Sequence, residues 1–174
     1  RFDIEALAGL LDGSWVVGDL GCGTGQISET VAPFVGRVIA VVASTSMLDR
    51  AKTRLAGVQH VELRAGELEA LPIADGELDA AVISLVLHHA PDPRHVIAQA
   101  MRVLKPGGRL LLVDLLPHDR AEYREHLGHV WLGFSQEQVT EWLQGAGFAR
   151  VNVVALPADP GAKAPALFVA SATK

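Results

Sequence analysis

Between residues 15 and 115 the chain alternates short, almost wholly apolar runs with longer segments whose apolar residues recur every third or fourth position. That is the pattern of repeated strand–helix–strand units, in which a parallel sheet is covered on both faces and its strands lack a polar side. The run 15–20 predicts a first strand, and the glycines after it open a helix that reaches about Val35, where Gly36 stops it. Residues 38–42 predict a second strand. Ser44 or Thr45 is placed to cap a helix through Leu55, whose Met47, Leu48, Ala51 and Leu55 share one face. The alternating polarity of 58–63 predicts an edge strand, whereas 78–85 is apolar on both faces and reads as central. Pro91-Asp92-Pro93 starts a helix over 94–104, and Lys105-Pro106-Gly107-Gly108 predicts a turn into a fifth strand over 109–115.

The grammar then changes. Two helices, 120–128 and 135–145, precede strand-like stretches at 149–156 and 166–172, with 157–161 forming a hairpin loop. The expected organisation is one doubly wound α/β domain spanning 1–174. It divides into a partial amphipathic N-terminal helix carrying Phe2, Ile4, Leu7, Leu10 and Leu11 (1–14), a ligand-binding core (15–116), a helical insert (117–147) and a closing hairpin (148–174).

Composition narrows the function classes. With 174 residues and 49% hydrophobic content the chain supports a single core, and no apolar run reaches the roughly 18 residues of a membrane span. A net charge of −5 leaves no electrostatic footprint for nucleic acid or an anionic membrane surface. The single cysteine, Cys22, excludes an intramolecular disulfide framework and a cysteine-rich zinc site, which points to a reducing, cytoplasmic setting. The chain opens Arg1-Phe2-Asp3 without an initiator Met or a signal segment, and so reads as a piece of a longer protein.

The sharpest local signal is Asp19-Leu20-Gly21-Cys22-Gly23-Thr24-Gly25, placed where a strand gives way to a helix at the carboxyl edge of a parallel sheet, where ligands bind in this architecture. Glycines at alternate positions let the backbone turn tightly and approach a ligand, and the helix start presents free N–H groups. The third glycine comes one residue too early for a dinucleotide fingerprint, and no phosphate-loop Lys follows. Asp19 suits a cationic ligand better than a pyrophosphate.

This motif resembles the first motif of class I S-adenosylmethionine-dependent methyltransferases, and further matches follow in order. Residues 65–72 and 75–79 resemble that family's segment before the fourth strand, 84–89 its motif after that strand, and 102–108 its turn before the fifth. The resemblance implies a mostly parallel seven-stranded sheet with helices on both faces and a C-terminal antiparallel hairpin. It implies S-adenosylmethionine as cofactor, with S-adenosylhomocysteine as product. The implied cofactor site comprises Asp19, Gly21, Cys22, Gly23, Gly25, Val42, Ala43, Met47, Gly66, Glu67, Leu68, Ser84 and Leu85. Asp19 and the glycines would hold the methionine part, Glu67 and the Leu68 amide the adenine, with Met47 against its ring.

One position departs from the family. At the end of the second strand it usually carries Asp or Glu for the ribose hydroxyls, and here Val42 stands there. Losing a hydrogen bond to a charged group, worth about 1.5–3 kcal/mol, weakens binding by about one to two decades. Three accounts compete: Ser44 or Asp49 substitutes, the pocket takes a related ligand, or catalysis has been lost.

For the reaction itself, His88 and His89 follow the fourth strand at the expected pocket mouth. His89 is the candidate proton acceptor, although methyl transfer needs no base where alignment and desolvation suffice. His88, His89, Tyr123 and Trp131 are the expected substrate pocket. Trp142 is expected to pack its helix on the sheet, and Cys22 to fill space. Glu122 and His126 are four apart, but no H-E-x-x-H spacing occurs, and no metal site is assigned. The expected partner is a small-molecule acceptor, with no membrane and no direct nucleic-acid contact. His118-Asp119-Arg120, residues 129–134 and residues 165–170 resemble methyltransferase domains fused behind winged-helix, metal-responsive repressors. That implies a DNA-binding domain N-terminal in the intact protein, and an alternative role as a cofactor-sensing module.

Overall fold

The computed structural model describes residues 6–157 and 164–174. Seven strands, β1 (Val16–Leu20), β2 (Arg37–Val42), β3 (Val61–Ala65), β4 (Leu78–Ser84), β5 (Leu104–Leu115), β6 (Ala149–Ala155) and β7 (Leu167–Thr173), form one sheet in the order β3-β2-β1-β4-β5-β7-β6. Strands β1 to β5 run parallel, and β7 is antiparallel to both β5 and β6. Five α-helices accompany them among the described residues: α1 (Gln26–Val31), α2 (Thr45–Leu55), α3 (Pro93–Val103), α4 (Glu122–Leu127) and α5 (Gln136–Gly145).

The apolar strands sort their side chains by the two-residue period. On one face Leu20, Ile39, Val41, Ala81, Ile83, Leu110 and Leu112 form the main core with Val96, Ile97 and Ala100 of α3 and Val139, Trp142 and Leu143 of α5. On the other face Val17, Val38 and Ala80 pack on Ala32 and Val35, and Ala40 and Val42 on Cys22 and Leu48. This second layer covers only the β1–β3 half, so Leu111 of β5 is left 40% exposed.

Helix starts follow the caps. Ser44 Oγ accepts from Met47 N at 3.5 Å, Asp92 Oδ1 accepts from Arg94 N and His95 N at 3.1 and 3.2 Å, and Ser135 Oγ accepts from Gln138 N at 3.1 Å. Pro93, at the first position of α3, costs the helix no hydrogen bond because its missing N–H would be unsatisfied there.

Several boundaries differ from the sequence expectation. The strand expected at 58–63 starts at Val61, because Val58 N turns back to Leu55 O at 3.0 Å and His60 adopts φ 64°. The fourth strand stops at Ser84, since Leu85 has φ 54°. The first helix ends at Val31 and continues as a 3-10 turn, Ala32–Phe34, with Pro33 near its start. The turn expected at 105–108 is a bulge inside β5: β4 pairs with Leu104 and then with Arg109, Gly107 takes φ 79°, Gly107 N donates to Lys174 O at 2.8 Å and Lys174 N to Gly108 O at 2.9 Å. The helix expected over 120–128 shortens to α4, Glu122–Leu127. Most of the expected hairpin loop, and Phe2 and Ile4 of the N-terminal helix, lie outside the described residues; residues 6–8 are helical. No helix among the described residues is long and apolar enough to cross a membrane.

Candidate active site at the carboxyl edge of the sheet

Strand β1 delivers Asp19 and then the glycine loop, in which Gly21, Gly23 and Gly25 take φ of 83°, 53° and 84°. Gly21 is required sterically as well, since a Cβ there would stand 2.8 Å from a Val86 methyl. At Gly23 a Cβ would meet nothing within 4 Å, so the backbone faces open space. Gly21 N and Cys22 N both donate to Val41 O at 2.9 and 2.8 Å, and Gly25 N donates to Cys22 O at 2.8 Å. Among the described residues the N–H groups of Gly23 and Thr24 have no acceptor. Two adjacent free donors beside an open face form a receptor for a carboxylate.

Asp19 lies beneath the loop, 2% exposed. Its Oδ2 accepts from Ser28 Oγ at 2.6 Å and Ser28 N at 3.1 Å, which pins the first turn of α1 to β1. Burial pushes its carboxyl up to about 6, against the lowering effect of the Ser28 bonds. Oδ1 takes no hydrogen bond among the described residues, and Asp19 lines the adjoining groove, so a cation can still reach it. A carboxylate receptor above a buried carboxylate fits the amino-acid end of S-adenosylmethionine. Cys22 is buried, and burial together with the Asp19 carboxylate pushes its thiol up to about 12, so it fills space as expected.

The adenosine side is less complete. Val42 packs with Cys22, Ala40, Leu48 and Leu63, and offers only its carbonyl, to Gly66 N at 3.1 Å. Ser44 is occupied as the cap of α2. Asp49, one turn on, is exposed, stands 3.7 Å from Lys52 and lines a surface hollow with Thr24, Glu29 and Arg54. Glu67 is exposed, and its side chain makes no hydrogen bond or ion pair among the described residues. It lies two residues past Ala65, the β3 residue in register with Val42 at the end of β2. Ala43 is exposed, Met47 and Leu85 expose 37% and 46% of their surfaces, and Leu68 and Ser84 are half-buried.

Across this edge lies a histidine cluster. Asp114, fully buried at the end of β5, accepts from Leu87 N at 3.0 Å and His88 N at 3.3 Å through Oδ2. Its Oδ1 accepts from Leu115 N at 2.7 Å and bonds His88 Nδ1 at 2.6 Å. In the neutral ring a carboxylate at that distance holds the proton on Nδ1 and leaves the lone pair on Nε2. His89, exposed, is held in the same tautomer by its Nδ1 bond to Gly128 O at 3.0 Å. Val130 N and Trp131 N both donate to His88 O at 3.0 Å, which clamps the 128–131 loop onto the histidine turn. His129 is thereby buried 4.1 Å, ring to ring, from His88 and 5.0 Å from His89. Burial and the neighbouring imidazoles hold its pKa down at about 4. Tyr123 stands edge-on to both His129 and His118, at 5.1 Å from each.

The expected substrate residues thus separate. His88, His89 and Tyr123 converge. Trp131, expected at the substrate, is instead tied to the core: its Nε1 donates to Ala90 O at 3.1 Å, and its ring packs on Phe134 and Trp142 at 5.7 and 6.1 Å. Sequence reasoning missed Asp114, although it had a signal as the one charged residue in the otherwise apolar run 110–115. His129 stands in the insert that the sequence offers as acceptor pocket, but its packing on His88 had no signal, since only folding brings the two together.

A cavity of about 1080 Å³ lies over the uncovered half of the sheet. It reaches Asp19, Gly21 and Ser84 at one end and Leu11, Trp15 and Leu111 along its length, and Asp19 is the only carboxylate among the residues lining it. The cavity therefore adjoins the glycine loop, whereas Glu67 and the histidines lie outside its lining.

Residues 18–112 match the family described as "Methyltransferase domain". A protein of Streptomyces fradiae, an uncharacterized 37.1 kDa protein in transposon TN4556, is 42% identical over 97 residues, covering 54% of this chain and 28% of that one. The demethylmenaquinone methyltransferase of Clavibacter sepedonicus is 31% identical over 160 residues, covering 77% of this chain and 65% of its own. The chain thus spans from about a quarter to just under two-thirds of the length of these relatives. Among solved structures, an S-adenosylmethionine dependent methyltransferase from Mesorhizobium loti superposes with a TM-score of 0.80 at 22% identity, over 97% of this chain and 95% of that one.

Proposed function

This chain belongs to the methyltransferase domain family, on the class I S-adenosylmethionine-dependent fold, and from that premise we propose that it transfers a methyl group from S-adenosylmethionine to a small-molecule acceptor by direct displacement. S-adenosylmethionine supplies the reaction with an electrophilic sulfonium methyl. The chain's own work is binding, orientation and exclusion of water.

The observation that carries the reading is the pair of free N–H groups at Gly23 and Thr24, on a loop with open space at Gly23 and the buried Asp19 below. These groups would hold the carboxylate and ammonium of the cofactor. Glu67, with Met47 and Leu85 offering exposed apolar surface, would hold the nucleoside and offset the loss of an acid at Val42. The acceptor would lie against His88, His89 and Tyr123. The tautomer fixed by Gly128 leaves His89 Nε2 free to take a proton from an acceptor that must lose one. The name of the Clavibacter relative supports a small-molecule acceptor.

The test is calorimetric titration of the chain with S-adenosylmethionine and S-adenosylhomocysteine, repeated on Glu67→Ala. Saturable one-to-one binding, weakened about tenfold or more by the substitution, is expected for a charged hydrogen bond. No binding of either compound would overturn the reading. Binding without turnover on any acceptor would leave a sensing module in place of an enzyme.

A further inference from the structure

We propose that His88, His89 and His129 form a three-imidazole site for a divalent first-row transition ion, zinc foremost, with its fourth position open to solvent or to an acceptor. The site rests on its own geometry and not on the cofactor reading. One ring nitrogen from each residue lies within 4.8 Å of the others. A tetrahedral ion with bonds of about 2.0–2.1 Å draws such nitrogens to roughly 3.4 Å apart, a closure of the order of an ångström. His89, exposed on a 3-10 turn, has the freedom to supply it.

The hydrogen bonds around the cluster point the same way. The Asp114 carboxylate on His88 Nδ1 is the outer partner that orients and strengthens a ligating imidazole. The Gly128 carbonyl does the same for His89, so both rings present Nε2 lone pairs. His129 Nδ1 is buried and has no hydrogen-bond partner among the described residues. A buried imidazole nitrogen left unpaired is costly, and an ion between the rings removes that cost at His129. His118 Nε2, behind Tyr123, is likewise buried and unpartnered, so the wall around the cluster keeps polar capacity unused.

The ligand set selects the ion. Three neutral imidazoles without a thiolate or a directly ligating carboxylate suit Zn²⁺, Ni²⁺ or Cu²⁺ and not Mg²⁺ or Ca²⁺. Three protein ligands with a vacant fourth position is also the arrangement of ions that act on a bound group by lowering its pKa. A loaded site leaves His89 Nε2 unavailable as a proton acceptor, and the ion then takes over activation of the acceptor.

The experiment uses the whole chain, stripped with a chelator and dialysed. Zn²⁺ is titrated by calorimetry and Co²⁺ by visible absorption. The expected result is one ion per chain, with the intense d–d bands of four-coordinate Co²⁺ and a rise in Tm on adding Zn²⁺. His89→Ala and His129→Ala should each weaken binding at least tenfold and abolish those bands, while His126→Ala, on the exposed face of α4, should change nothing. Because His129 is buried, circular dichroism accompanies its variant, and the exposed His89 carries the test if His129→Ala does not fold. Stoichiometric binding that survives in His89→Ala, or only the spectrum of aqueous Co²⁺, would overturn the proposal. S-adenosylhomocysteine is titrated into the same sample: ion binding without nucleoside binding would sink the cofactor reading alone, and the converse would sink the metal site alone.

Discussion

Replacing Asp19 by Asn should make the protein more stable at neutral pH and worse at holding its cofactor. Asn retains a side-chain oxygen to accept the Ser28 N–H and O–H at 3.1 and 2.6 Å, so the tie between β1 and α1 survives, while the charge disappears. In the folded protein the carboxyl titrates at about 6 instead of 3.8, chiefly because burial penalises its anion. A group that holds its proton more tightly folded than unfolded costs nothing below its unfolded pKa, and destabilises increasingly as pH rises through its folded one. The gap between 3.8 and about 6 corresponds to about 3 kcal/mol. The variant should therefore match the parent near pH 4 and diverge between about pH 4 and 6. At pH 7.5 it should gain up to about 3 kcal/mol, or about 6–12 °C in Tm for a chain of this size. Thermal melts of both proteins across that range check the curve, with S-adenosylhomocysteine titrated at pH 7.5 in parallel. A variant less stable than the parent at pH 7.5, or one shifted equally at pH 4 and 7.5, would refute the argument that burial of this charge is the dominant effect.

Gly21→Ala should cost about 2–4 kcal/mol in urea melts, because a Cβ meets Val86 at 2.8 Å on a residue with φ 83°. Gly23→Ala should cost only the about 1–2 kcal/mol of its left-handed backbone, but should lower cofactor affinity, since its open side is where the ligand would lie. Val42→Asp should tighten S-adenosylhomocysteine by about tenfold or more in calorimetry if a missing ribose acceptor is what limits affinity, and unchanged affinity would show that Glu67 already fills the role. Asp114→Ala should destabilise by about 2–4 kcal/mol in denaturant melts at pH 7, because it strips acceptors from the buried Leu87 and His88 N–H groups and from the His88 ring.

Where physics acted between near neighbours in the chain, the sequence was readable. The apolar runs at β1, β2, β4 and β5 fell where expected, Ser44 capped α2, and the glycine loop stood at the strand–helix junction. Errors came where a distant partner decided the local conformation. Residues 105–108 do turn, with Gly107 at φ 79°, but hydrogen bonds with Lys174 keep that turn as a bulge inside β5. Trp131 looked free in a glycine-flanked linker, but the Ala90 carbonyl and two aromatic rings hold it half-buried against the core. The Asp114–His88–His129 grouping joins three separate segments, and no spacing rule reaches across them. The loop half of the candidate site was therefore legible, as were His88, His89 and Tyr123, whereas Asp114 and the packing of His129 on His88 were not.

The position of β7 between β5 and β6 constrains how the molecule is assembled during synthesis. β6 emerges from the ribosome before β7 yet joins the sheet only through it, so it has no hydrogen-bonding neighbour until residues 167–173 are made. Throughout that interval β5 presents a bare, apolar flank, and the nascent chain is at its most exposed to mispairing with other copies. Closure then comes in one late, non-local step that fixes β5, β6 and α5 together. Destabilising substitutions in 167–173 should therefore act on yield in the cell more than on the melting of protein already folded.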